Sequence, residues 1–127
     1  LASNKFKLIK IKAVINNNTE IYKIINRNIK KFEIKELYLN NVKKNKDWIY
    51  HKKNKVLFFA LEGSFVFKLY SNKKYIKINI SRKKNLILII NPNTWFKISA
   101  KKNMKSLLLC AQNNYYDKNE FKKLNKL

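Results

Sequence analysis

Apolar and polar residues alternate with a period of two along much of this chain. Ile76, Ile78 and Ile80 alternate strictly with polar neighbours, and Phe6, Leu8 and Ile11 do so more loosely among lysines. Residues 33–39 (EIKELYL) and 65–70 (FVFKLY) have the β-branched and aromatic bias of strands. Residues 86–90 (LILII) form a continuous apolar run of strand length, as expected of a strand buried on both faces. Turn signals fall between these segments at Asn16-Asn17-Asn18, Asn40-Asn41, Glu62-Gly63, Ser71-Asn72-Lys73, Arg82 to Asn85 and Asn91-Pro92-Asn93. Short strands about 8–12 residues apart predict a sandwich or barrel. A helix is predicted only at the end, where Asp117 can cap, Glu120 completes a capping box, and Phe121 and Leu124 form a short apolar stripe. Neither an internal repeat nor a linker interrupts the pattern, so residues 1–127 read as one domain.

Composition narrows this picture. The chain has 127 residues and 46% hydrophobic content, enough for a core and too much for a disordered basic tail. Gly63 is the single glycine, so tight turns must use asparagine, which tolerates left-handed backbone better than other residues. No apolar run approaches the roughly 18–20 residues of a membrane span. The start, LASNKFKLIK, lacks an initiator Met and is read as trimmed; it has no apolar core of signal-peptide length. The single Cys110 lies within an apolar run and reads as a buried structural thiol. It allows no internal disulfide, which fits a reducing, cytoplasmic setting.

The net charge of +23 is extreme and would attract nucleic acid, anionic lipid or a nucleotide diphosphate. Only Arg27 and Arg82 are arginines, whereas base reading and bidentate phosphate recognition favour arginine. Lys, Asn and Ile crowd the whole chain, the usage expected of an AT-rich genome. Genome bias and polyanion binding are therefore both open readings of the charge.

In order of elements, the chain resembles the small cupin family of nucleotide-sugar 3,4-ketoisomerases, the WxcM-like proteins. Residues 31–38 (KFEIKELY) resemble that family's P-F-x-I-K-R-x-Y strand, with Glu36 in place of the arginine. Residues 45–55 fall without a gap on R-G-x-H-A-H-K-x-x-x-Q. Val56 to Phe65 resembles the hydrophobic strand and S-G-S turn that follow, and residues 91–96 (NPNTWF) resemble the P-P-x-x-W-H corner. Leu107 to Phe121 is similar to the closing strand, Tyr-Tyr-Asp turn and acidic helix start. The resemblance covers roughly residues 7–124. It implies an all-β, cupin-like (RmlC-like) jelly-roll barrel with a short C-terminal helix, forming a homodimer without metal or cofactor. It also implies isomerisation of a dTDP-4-keto-6-deoxyhexose to its 3-keto form, in nucleotide-sugar metabolism and surface glycan biosynthesis.

The departures fall on the chemistry. In the gapless register the arginine becomes Asn45, the glycine Lys46, the two histidines Trp48 and Tyr50, the glutamine Lys55 and the corner histidine Phe96. Moving a proton between sugar carbons through an enediol needs a base with a pKa near neutrality. Trp48 has none, and the reference pKa of a phenol, the group at Tyr50, is about 10. Glu36 has the wrong sign to stabilise an enediolate. A one-residue deletion between Lys53 and Val56 would instead put His51-Lys52 on the second His-Lys pair, with Ile49 at the first histidine. In the gapless register, period-two alternation turns His51 to solvent if Trp48 and Tyr50 face inward.

The catalytic candidates are thus Tyr50 and His51. Tyr38, Trp48, Tyr50, Lys55 and Trp95 are expected to line a substrate pocket by aromatic stacking and diphosphate contact, or simply to fill the barrel. The leading reading is a ketoisomerase-family cupin that acts on or binds its nucleotide-sugar and is catalytically degenerate, a pseudoenzyme. The alternative is a non-catalytic basic barrel that binds nucleic acid or another polyanion.

Overall fold

The computed structural model describes residues 5–27, 29, 31–43 and 46–127. Twelve strands follow one another among these residues: β1 Phe6–Lys10, β2 Val14–Asn16, β3 Thr19–Ile21, β4 Glu36–Asn41, β5 Trp48–His51, β6 Val56–Glu62, β7 Ser64–Ser71, β8 Lys74–Ser81, β9 Leu86–Ile90, β10 Trp95–Ala100, β11 Leu107–Gln112 and β12 Phe121–Leu124. They build two five-stranded sheets, β1-β9-β6-β11-β4 and β12-β5-β10-β7-β8, and the small hairpin β2-β3. Every pairing is antiparallel. This is the expected all-β jelly-roll.

The two sheets face each other across an aromatic and aliphatic lumen. Phe58, Leu88, Ile90 and Leu108 from the first sheet meet Phe65, Phe67, Leu69, Ile80, Phe96 and Ile98 from the second. Each such side chain contributes about 1.5–3 kcal/mol on burial. The other face of the first sheet is also covered. There Leu57, Phe59, Ile87 and Ile89 pack with Ile11, Tyr22, Ile24, Ile29, Phe32 and Ile34 of the segment that precedes β4. Residues 86–90 are therefore apolar throughout because β9 is buried on both sides.

Asparagine takes the place of glycine at the corners. Asn17, Asn72, Asn85, Asn93 and Asn103 all adopt positive φ, alongside Lys31 and Lys73. Gly63, at φ +83°, joins the two sheets between β6 and β7; a Cβ there would lie 2.5 Å from the Lys105 carbonyl oxygen.

Three expectations are corrected. Among the described residues there is no helix: Asp117 to Glu120 forms a turn, and residues 121–124 pair as β12 with β5. A helix of so few residues is marginal, and pairing with the β5 edge satisfies more backbone groups. Asn40-Asn41 is not a turn but the end of β4, held by Leu108 and Leu107 of β11. The strand read at residues 33–39 begins only at Glu36.

Candidate functional site

The site is set by which way β5 faces. Ile49 packs against the lumen core, and the His51 ring stacks on buried Phe96 at 6.1 Å and 17°. Alternation then turns Trp48 and Tyr50 outward. Trp48 meets Tyr75 at 6.0 Å, and Tyr50 meets Trp95 at 5.0 Å and donates a hydrogen bond to Asn93 Oδ1 at 2.7 Å. An Ile at 49 suits the dry interior, and the aromatic residues on either side of it fall on the opposite face.

His51 is held by a buried carboxylate. Its Nδ1 lies 2.8 Å from Glu120 Oε2, with the two side chains 12% and 2% exposed. Glu120 Oε1 accepts the backbone N–H groups of Lys53 at 3.0 Å and Asn54 at 2.9 Å. Burial pushes the Glu120 carboxyl up. The hydrogen bond from His51 and those from Lys53 and Asn54 outweigh it, leaving the group below its ordinary value. A carboxylate facing Nδ1 assigns the ring proton to Nδ1 and leaves the Nε2 lone pair available.

A second chain of polar groups runs beside this pair. Asn54 Nδ2 donates to Gln112 Oε1 at 2.7 Å, and Gln112 Nε2 donates to the Tyr38 hydroxyl at 3.0 Å. Asn54 is 1% exposed, and its Oδ1 has no protein partner among the described residues. Tyr38 is 38% exposed as a residue, yet its hydroxyl is engaged by the buried Gln112 amide. Burial, with the Cys110 thiol beside it, pushes Tyr38 up to about 12, so it remains a neutral donor. Cys110 is also raised to about 12 by burial.

These groups surround a cavity of about 280 Å³, lined by Tyr38, Ile49, His51, Asn54, Gln112 and Glu120 and flanked by Lys46, Tyr116, Asp117, Phe121 and Lys123. The volume falls just below the range of about 300–1,000 Å³ of small-molecule clefts. A donor (Tyr38), an orphaned acceptor (Asn54), an oriented imidazole (His51) and two ammonium groups thus converge on one space.

Of the residues singled out from sequence, the cavity brings together Tyr38 and His51. Trp48, Tyr50 and Trp95 lie on the outer face of the second sheet, and Lys55 is not in the lining; its backbone N–H is bound to Asn113 Oδ1. The expected pocket joining Trp48, Tyr50 and Trp95 to Tyr38, with His51 in solvent, has the opposite parity to this geometry. Phe96 is the floor under the imidazole. Glu36 accepts the backbone N–H of Tyr116 at 2.8 Å and so anchors the turn beyond β11. Asn45 lies outside the described residues. Sequence reasoning missed Glu120, Asn54 and Gln112 as site residues. The signal for Glu120 was its scarcity, since only seven acids stand against 30 bases.

The fold and its contents define a small cupin-type barrel with a histidine–carboxylate pair in the wall of its lumen. The chain belongs to the WxcM-like, C-terminal (FdtA) family, whose profile matches residues 4–126. Solved structures with the same fold include QdtA, a sugar 3,4-ketoisomerase from Thermoanaerobacterium thermosaccharolyticum in complex with TDP. It has a TM-score of 0.81 and 23% identity, covering 94% of this chain and 88% of that one. A 3,4-ketoisomerase from Helicobacter canadensis aligns with a TM-score of 0.80 and 22% identity over 95% and 90% of the two chains. The WlaRB TDP-quinovose 3,4-ketoisomerase from Campylobacter jejuni gives 0.80 and 22% over 94% and 92%. No curated protein sequence matches the chain. No helix among the described residues is long and apolar enough to cross a membrane.

Proposed function

We propose that this chain is a nucleotide-sugar 3,4-ketoisomerase with its catalytic apparatus reduced to one imidazole, acting on a dTDP-4-keto-6-deoxyhexose. The observation that carries the reading is the Glu120–His51 pair, which opens onto the same cavity as Tyr38 and Asn54. His51 Nε2 is the base that removes the proton from sugar C3. The C4 carbonyl oxygen gains a proton from Tyr38 as the C3–C4 enediol forms. His51 then returns its proton to C4 and Tyr38 regains one from O3, which gives the 3-keto sugar and restores both groups, so no redox partner is needed. Glu120 stabilises the imidazolium and fixes its tautomer; it acts through His51 and is a positioning residue. Lys46 and Lys123 face the diphosphate as point charges. A missing second histidine makes slow turnover the expected behaviour.

The test is a proton NMR time course with dTDP-4-keto-6-deoxyglucose. New 3-keto signals that vanish in His51→Ala support the reading. Broadened substrate signals without product would make the chain a binding-only descendant, and neither effect would remove the sugar from the cavity. The assembly proposed is a homodimer. Among the described residues, edge strand β4 pairs only with β11 and exposes Leu37 at 61% and Leu39 at 58%, a surface suited to a second copy. Light scattering that gives a monomer, or a dimer unchanged by Leu37→Lys, would sink that part.

A further inference from the structure

The outer face of the second sheet carries two ordered rows that the sugar cavity does not use. Register partners across all five strands place Lys122, Tyr50, Trp95, Tyr70 and Tyr75 side by side. The Tyr50–Trp95 and Tyr70–Tyr75 centroids are 5.0 and 4.8 Å apart, and Lys122 Nζ lies 5.4 Å from the Tyr50 ring centre. Two residues along the strands, roughly 7 Å away, Lys97, Lys68 and Lys77 form a second row of direct partners. Trp48, two residues along β5 from Tyr50 and so level with the lysine row, is buried at 7% exposed and packs on Tyr75.

The lysine row has a physical cost. Like charges directly opposite one another across strands destabilise a sheet, and here three stand in line. None of the five strands contains an aspartate or glutamate. The ion pairs among the described residues lie elsewhere, at Lys35–Glu33, His51–Glu120 and Lys105–Glu62. Uniform lysine enrichment would raise the charge everywhere, but it would not line up aromatic rings beside the lysines. The first sheet, in the same chain, has its outer face covered by apolar residues.

From this arrangement we infer that the outer face of the β12-β5-β10-β7-β8 sheet binds single-stranded nucleic acid. Bases stack on the Tyr50, Trp95, Tyr70 and Tyr75 row, and phosphates run along Lys97, Lys68 and Lys77. Stacking on aromatic side chains contributes about 1–3 kcal/mol per base and tolerates any sequence. Lysine in place of arginine fits recognition of backbone charge rather than base edges. A lipid surface would match the charge and could also take up phenol and indole rings at its headgroups, so vesicles form one arm of the experiment.

Of the two tryptophans of the chain, Trp95 is half-buried in the aromatic row and its emission reports the contact, whereas Trp48 is only 7% exposed and supplies the buried background. The experiment titrates the full chain with a labelled single-stranded oligodeoxyadenylate of about a dozen nucleotides. Excess dTDP is present to keep the nucleotide out of the lumen. Expected results are tryptophan quenching together with a rise in anisotropy, and an affinity that falls with salt by about 0.7 log units per log unit for each phosphate contacted. The double variant Lys68→Glu/Lys77→Glu should weaken binding at least tenfold, whereas Lys101→Glu/Lys102→Glu, off the sheet face, should change it less than threefold. Tyr75→Ala should reduce the quenching. If the first double variant fails to fold, Lys68→Gln/Lys77→Gln replaces it, with an expected loss of at least threefold. Equal weakening by the two lysine pairs would reduce the effect to bulk charge and overturn the inference. So would binding without quenching, duplex DNA binding as tightly as single strands, or phosphatidylserine vesicles competing fully for the face.

Discussion

The same strands give the second sheet two faces with opposite chemistry. On the lumen side, partly buried Ile49 and His51 and buried Phe96 wall a cavity in which a single imidazole is tied to a carboxylate that has almost no solvent contact. On the outer side, one residue away along the same backbone, Trp48, Tyr50 and Trp95 are bordered by lysines. Low dielectric on the inside strengthens each polar contact and penalises each unpaired group. Outside, charge is screened, and contacts come from ring area and from the number of cations. Function on either face is thus decided by the parity of each residue in its strand, more than by its type or its neighbours in the chain.

Removing His51 should break the comparison most sharply. His51→Ala is expected to lower kcat/KM by about 10²-fold or more, the scale of a lost general base. It should also leave Glu120 Oε2 buried without its partner, at about 1–3 kcal/mol of stability. Turnover by NMR and urea unfolding check the two parts, and unchanged turnover would place the base elsewhere.

Next in size is Gly63, the hinge shared by both sheets. Gly63→Ala should cost about 1–3 kcal/mol, because the backbone sits at positive φ and the new methyl meets the Lys105 carbonyl. Both faces should weaken together in thermal unfolding; a normal Tm would mean that the 104–106 loop moves away freely.

A pH series sharpens the inner face alone. The Glu120 carboxyl is depressed in the folded chain, so the unfolded state binds more protons as pH falls through and below about 4.5. Its contribution to stability is complete above that value and disappears as pH drops through the folded pKa. Wild type should therefore lose urea resistance in this window faster than Glu120→Gln, which starts less stable near neutrality. At neutral pH the variant should lower kcat more than it changes KM, as expected of a positioning residue. Parallel curves would deny Glu120 this part.

The smallest effect belongs to the outer face. Tyr50→Phe removes the hydrogen bond to Asn93 and should cost about 0.5–1.5 kcal/mol. Turnover should stay within twofold of wild type. A tenfold loss would mean that Tyr50 reaches the sugar.

Much of the fold was legible in the sequence because burial leaves a period. The run at 86–90 marked a strand covered on both faces, and the asparagine-rich corners marked positive φ. Inside the lumen, sequence reading reached Tyr38 and His51 as candidates. The sequence did not reveal the facing of β5, because a one-residue slip reverses every side chain of a strand, and residues 48–51 are apolar or aromatic at three of four positions. Period alone could not choose between Trp48 and Ile49 for the interior. Glu120 was misread for a related reason. Its spacing from Asp117 imitates a helix cap, while its carboxylate is satisfied 66 to 69 residues away by Asn54, Lys53 and His51. Local pattern cannot register partners at that distance.

Cys110 offers an optical clock for opening of the barrel. It lies on β11, between β6 and β4, is 1% exposed, and burial has pushed its thiol up to about 12. A thiol in that state is inert toward disulfide reagents near neutral pH. Because it is the single cysteine of the chain, the absorbance released by such a reagent counts molecules in which this strand has come free. The slow phase of that release measures the opening of the core under native conditions, with no label and no denaturant.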